Sequence, residues 1–150
     1  MTTVRRVRVD ETPVLRTLMK EWVVQEAERY PEDRIGISER GLDNLETMHR
    51  AGAVHQDLAT LVAERDGEIV GFVDARVTRD LVLPGTAGEI GDLYAEESDV
   101  REALARAAVK FLRGRGAGPI FYRSDADPPE SEPWESLGFV ADTIRYALYD

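Results

Sequence analysis

The run Glu89-Ile90-Gly91-Asp92-Leu93-Tyr94-Ala95 places two carboxylates and a phenol in one stretch of strand-like composition. A carboxylate there can act as general base towards an ammonium substrate, and a phenol can hold or give a proton. The plainer alternative leaves Glu89 and Asp92 as solvated strand residues and Tyr94 as packing. Three more carboxylates follow at Glu96, Glu97 and Asp99, and an acidic, proline-bearing stretch covers 125–135. If both acidic stretches follow parallel neighbouring strands, they share the usual ligand edge of such a sheet. They would then recruit a cation such as a polyamine, an amino sugar or a lysine side chain. Otherwise they form a charged surface that keeps the protein in solution. His49 and His55 are isolated in sequence, a pattern that more often marks surface residues. Gly114-Arg115-Gly116-Ala117-Gly118 imitates a phosphate loop, but it follows a helix and precedes a strand. A helix cap and a tight turn explain it.

Composition removes several function classes. The chain has 150 residues, with 29 acidic against 19 basic side chains and a formal net charge of −10. Nucleic acids and anionic membranes repel such a surface, so neither is an expected partner. Without cysteine there is no disulfide framework, thiolate nucleophile or Cys-based zinc site. Two histidines cannot build a three-histidine catalytic metal site, and no metal is expected. No apolar run approaches the ~20 residues of a membrane span, and Met1 to Arg6 lacks a signal-peptide core, so a cytoplasmic location is the expectation. The length suits one domain over residues 1–150.

The elements that must position these residues follow from periodicity. Val4 to Val9 reads as a strand. Asp10 caps a helix from Glu11 to Arg29, with Leu15, Leu18, Met19 and Trp22 at helical spacing. Ser38 caps a second helix buried through Leu42, Leu45 and Met48. Leu58 to Arg65 and Glu68 to Arg79 flank Asp66-Gly67, a hairpin signal, and Gly71 marks a bulge or close backbone approach. Residues 81–87 form a loop before the strand from Glu89 to Ala95. Asp99 and Glu102 form a capping-box-like pair for a helix buried through Val100, Leu104, Ala107, Ala108 and Phe111. A strand at Ile120 to Arg123, a short helix at Trp134 to Leu137 and a closing strand from Phe139 to Tyr149 complete the order βααβββαβαβ. This is an α+β chain layered α/β/α, with a mixed, mostly antiparallel sheet and one right-handed parallel crossover.

That order, with Asp66-Gly67-Glu68-Ile69-Val70-Gly71-Phe72, Glu89 to Tyr94 and Leu137-Gly138-Phe139 at fitting intervals, resembles the GNAT superfamily of acetyl-CoA-dependent N-acetyltransferases. The resemblance covers nearly the whole chain. It implies that strand 89–95 splays from strand 120–123, and that the gap takes the pantetheine arm of acetyl-CoA. It implies cofactor contacts from Leu93, Tyr94 and Ala95, whose backbone would polarise the thioester carbonyl. Further contacts would come from Val100 and Arg101 at the following helix, from Asp127 and from Trp134. The acceptor would be a small-molecule or peptide amine. Asp92, which matches the family pattern, and Glu89 are the candidate bases, and Tyr94 is a candidate acid. Members often form homodimers, so a homodimer is an expectation here.

Three positions depart from the family pattern. Its Arg/Gln-x-x-Gly-x-Gly/Ala turn is replaced by Glu96-Glu97-Ser98-Asp99-Val100-Arg101, about four residues shorter and without glycine. A close like-charge pair costs on the order of 1 kcal/mol even in water, whereas a helix N-terminus contributes about 0.3–1 kcal/mol towards an anion. These acids therefore oppose a pyrophosphate unless Arg101 or Arg106 turns towards it. Trp134 stands where the family usually has its proton-donating tyrosine, and an indole N–H does not release its proton; plain core packing is the alternative. Asp127, Glu130 and Pro133 replace the usual asparagine, alanine and phenylalanine. Two functions follow: an N-acyltransferase, or a GNAT-fold binding or oligomerisation module that no longer takes coenzyme A.

Overall fold

Between the two central strands Asp66 and Gly67 form an exposed turn in which both take positive φ, 52° and 81°. That is the type I′ geometry whose twist suits a two-residue hairpin. It joins β2 (Leu58–Arg65) to β3 (Glu68–Arg79) in an antiparallel pair. The computed structural model describes residues 1–29, 36–79, 85–123 and 132–141. On one side β1 (Thr2–Arg6) pairs antiparallel with β2; on the other β4 (Thr86–Ala95) pairs antiparallel with β3. β5 (Ile120–Tyr122) lies parallel to β4, giving a five-stranded sheet in the order β1-β2-β3-β4-β5.

Helices α1 (Thr12–Arg29) and α2 (Glu39–Val54) pack on one face of the sheet, and α3 (Ser98–Gly114) packs on the other. The α3 face is lined by small residues, Ala59, Ala63 and Ala75, against Leu104, Ala105, Ala108 and Leu112. The opposite core joins Leu15, Met19 and Leu42 to Val62, Phe72 and Tyr94. Next to Gly71 β3 carries one extra residue, Val70, against β2, and a Cβ added at Gly71 would lie 2.6 Å from the carbonyl oxygen of Tyr94. The bulge and the close approach therefore lie side by side. Ser38 accepts the amide of Gly41 at 3.0 Å and caps α2 as its position foretold. The glycine-bearing segment after α3 closes that helix: the amide of Ala117 bonds the carbonyl of Leu112 at 3.0 Å. Among the described residues no helix is long and apolar enough to cross a membrane.

Several local expectations are corrected. β1 ends at Arg6, so Val9 is exposed in a single 3-10 turn over Val9–Glu11. Asp10 does not cap α1; instead the Glu11 carboxylate accepts the amide of Arg8 at 2.8 Å. β4 begins at Thr86, three residues earlier than expected. α3 starts at Ser98 behind Glu97, which makes no side-chain cap, and Glu102 pairs with Arg106 at 2.7 Å instead of reaching back to Asp99. The short helix near Trp134 is a 3-10 turn over Glu135–Leu137. Residues 139–141 are not a strand, and the rest of the expected closing strand lies outside the described residues, as does Asp127.

Arg5 ties β1 to its surroundings through Glu11 and Glu64, each at 2.7 Å. The hydrogen bond from this guanidinium holds the Glu11 carboxyl at about 2, against its usual 4.5. A carboxyl depressed by folding adds stability that is present above about pH 4.5 and lost as pH falls towards 2. Glu11→Gln is therefore expected to flatten the decline in urea-measured stability across that window. A decline as steep as in the parent protein would show that the pair contributes nothing.

Candidate active site

The site begins with a second bulge. From Val73 to Ala75 β3 advances two residues, while β4 spends three, from Leu93 back to Ile90. The extra residue falls at Gly91-Asp92 and keeps both Ile90 and Leu93 in the core under α3. Asp92 and Tyr94 consequently share the other face, beneath α1 and α2. Asp74 stands across from this bulge, in the middle of the sheet. Its Oδ1 accepts the Thr60 hydroxyl at 2.6 Å, and its Oδ2 lies 3.4 Å from Nε2 of His49 on α2. His49 is 1% exposed and Asp74 5%. The edge of the Phe72 ring closes one side of the imidazole, with centroids 5.3 Å apart. Neither His49 Nε2 nor Asp74 Oδ2 makes a well-aligned hydrogen bond among the described residues. Buried polar atoms left in that state cost free energy, which marks them as a place to look for function.

Asp92 is half-buried. Burial, and then the like charge of Asp74, push its carboxyl above the usual range, while His49 pulls the other way. An elevated carboxyl is the type of base that can take a proton from an ammonium near neutral pH. Glu89, the other carboxylate on β4, is already paired with Arg76 on the neighbouring strand. The engagement of Glu89 adds to the preference that the match to the family pattern already gave Asp92.

Beside Asp92 the sheet opens. The β4–β5 ladder covers only Gly88, Glu89 and Ile90 against Ile120, Phe121 and Tyr122. From Gly91 to Ala95 β4 has no partner on that edge among the described residues. The backbone at Leu93, Tyr94 and Ala95 lies on this stretch, directly before α3.

No protein-family model and no curated protein sequence matches the chain. Solved structures match it along its length. An aminoglycoside acetyltransferase from an uncultured soil metagenomic sample superposes with a TM-score of 0.69 at 19% identity, over 100% of this chain and 99% of that one. An acetyltransferase of Trypanosoma brucei gives 0.68 at 19% identity, over 99% of each chain. A predicted acetyltransferase of Clostridium acetobutylicum, solved with acetyl-CoA, gives 0.76 at 15% identity, over 100% and 96%. The chain has the GNAT fold.

Within the GNAT fold, the start of α3 is where the acids were expected to oppose phosphates, and the structure shows how their charge is met. Arg65 of β2 bridges Glu97 at 2.6 Å and Asp99 at 2.8 Å, and Glu96 accepts from Gln25 at 3.0 Å. Arg65, which the sequence did not single out, thus meets the charge of Glu97 and Asp99; Arg106 is engaged by Glu102. Arg65 first, and then first-turn amides including that of Val100, hold the Asp99 carboxyl below its usual range. Val100 is buried in the core, and the amide of Arg101 already bonds the carbonyl of Glu97 at 3.0 Å.

The aromatic candidates also find their places. The Tyr94 ring packs near Trp22 and Phe72 at centroid distances of 6.5 and 6.3 Å. Burial makes its phenol hold the proton more tightly than usual, and the nearby charges of Glu96 and Glu21 act in the same direction. Trp134 is buried and stacks on Tyr122 of β5 at 3.9 Å, with Phe139 edge-on at 5.3 Å. Its Nε1 has no partner among the described residues.

Sequence reasoning missed His49, Thr60 and Asp74. The expectation that His49 lies on the surface is wrong, because α2 turns it inward with Leu42, seven residues earlier. The signal was available: Asp74 interrupts the apolar run Gly71-Phe72-Val73-Asp74-Ala75 of a central strand. A carboxylate in such a place needs a buried partner. His55 does lie on the surface, at the C-terminal cap of α2.

Proposed function

We propose that the protein is a GNAT-type N-acyltransferase that moves an acetyl group from acetyl-CoA to a primary amine. The observation that carries this reading is the juxtaposition of Asp92, a half-buried carboxylate raised by burial, with the half of β4 that has no partner on its outer edge among the described residues. Acetyl-CoA, when bound, supplies the acyl group and a thiolate leaving group. Backbone groups at Leu93, Tyr94 and Ala95 would hold its pantetheine arm and orient the carbonyl. Asp92 takes the proton that the attacking ammonium must lose. Tyr94, packed against Trp22 of α1 and holding its proton tightly, serves as a wall of the site in preference to acid. An acceptor that is itself a cation, small molecule or peptide, fits the carboxylates around the opening. The name of the aminoglycoside acetyltransferase with this fold supports the same class.

One observation favours the second reading, a module that has lost the cofactor. The start of α3 does not fit a pyrophosphate as the open β4 edge fits the arm: acids replace glycines there, and Glu97 and Asp99 already hold Arg65. Calorimetric titration with acetyl-CoA separates the two. Saturable binding, followed by mass-detected acetylation of a member of an amine panel, supports the enzyme. An absence of binding at millimolar acetyl-CoA would leave the module. If acetyl-CoA binds, Glu97→Gly is expected to tighten it about fivefold, since a close like charge in water costs on the order of 1 kcal/mol. Unchanged affinity would place the phosphates away from α3.

A further inference from the structure

The buried row beneath α2 is larger than a single base requires. We propose that Asp92, Asp74 and His49 act as one proton-sharing unit: the buried imidazole, in its cationic form, offsets the charge of Asp74 and thereby keeps Asp92 ionised and ready for the acceptor's proton. The inference rests on the reading of Asp92 as the base. Three observations carry it. His49 Nε2 and Asp74 Oδ2 face each other at 3.4 Å, and neither makes a well-aligned hydrogen bond among the described residues. The other oxygen of Asp74 is fixed by Thr60 at 2.6 Å, so the carboxylate cannot turn away without breaking that bond. The bulge at Gly91-Asp92 sets Asp92 beside Asp74, where Asp74 and His49 are the two charges that act on it in opposite directions.

Among the described residues the surroundings show no substitute charge. From β2 comes the neutral Thr60 hydroxyl, and from β3 the Phe72 ring. On α2 the charges flanking His49 are Glu46 and Arg50, paired with each other at 3.1 Å; from α1 Arg16 meets Glu46 at 3.2 Å. Two carboxylates this close in a poorly solvated place do not both stay ionised without a nearby cation. His49 and Asp74 are too deeply buried to touch substrate, so they are positioning residues, and their effect must be read through Asp92.

The test is carbon-detected NMR titration of the Asp92 carboxyl in the ligand-free full chain, assigned with D92N. His49→Gln keeps a donor towards Asp74 but removes the charge, and Asp92 is expected to ionise about one pH unit higher. Asp74→Asn removes the opposing charge, and Asp92 is expected to ionise about one unit lower. Opposite displacements are not what general loosening of the core produces. If His49→Gln fails to fold, the near-isosteric Asp74→Asn decides alone. An unmoved Asp92 in either folded variant overturns the proposal. The acid limb of kcat/KM for amine acetylation should move with each titration. If the parent protein acetylates amines while Asp92 is unmoved, the proton-sharing unit fails and the enzyme stands. If the titrations move and no amine is acetylated, the unit stands and the enzyme fails.

Discussion

Asp92→Asn lowers kcat/KM for acetylation of an accepted amine by about 10²–10⁴-fold, the range of a general base in such a step. The substitution preserves volume and one hydrogen-bonding oxygen, so the loss falls on proton removal. The same change should make the protein more stable. Burial and Asp74 raise the folded-state pKa of Asp92, so the folded protein holds a proton that the unfolded chain releases. Stability then declines as pH rises from the ordinary carboxyl value of 3.8 through the raised one, and above that window the ionised group is a standing cost. Asparagine removes that cost, so Tm at pH 7 rises as activity falls. Glu89→Gln is the control. It breaks an exposed pair with Arg76, worth about 0.2–1 kcal/mol in stability, and leaves kcat/KM within about threefold. Rates at pH 6–9 with melting curves on both variants check this. Equal losses from Asp92→Asn and Glu89→Gln would remove Asp92 from its role.

The fold was more legible than the site, for a physical reason. Sheet order and helix placement follow from local signals that act within a few residues: Asp66-Gly67, the apolar stripe of α3, the cap at Ser38. The bulge beside Gly71 could be read because glycine in a strand implies a missing Cβ. The acid cluster at α3 could be read as charge, but its neutralisation could not. Arg65 is more than 30 residues distant in sequence and reaches Glu97 and Asp99 only because β2 ends near the start of α3. His49, Thr60, Asp74 and Asp92 likewise come from four elements, α2, β2, β3 and β4, and only the assembled layers join them. A lone histidine has many uses, and its chemistry appears when the carboxylate facing it is known. The bulge that aims Asp92 sits at Gly91, a residue present in the motif but silent about which strand carries the extra position.

Gly52→Ala is the largest expected loss of stability. Gly52 lies inside α2, where alanine would ordinarily gain about 1 kcal/mol in helix propensity. Here an added Cβ would stand 2.2 Å from Thr60 Oγ1 and 2.8 Å from the Thr60 amide nitrogen. The second atom belongs to the backbone of a strand bonded on both sides and cannot swing aside, so α2 must lift from β2. Overpacking of this kind costs about 1–3 kcal/mol. Taking the upper end against the propensity gain leaves about 2 kcal/mol, or a fall in Tm of about 4–8 °C for a chain of this size. Gly114→Ala makes the same chemical change at the end of α3, where nothing lies within 4 Å, and is expected to leave Tm unchanged or higher. The contrast carries a functional consequence. Lifting α2 separates His49 from Asp74 and strains the Thr60 bond that fixes it, so Gly52→Ala should also displace the ionisation of Asp92 upward, as His49→Gln does. A Gly52→Ala protein with both Tm and Asp92 titration intact would show that α2 has room over β2, contrary to the close approach on which the buried row depends.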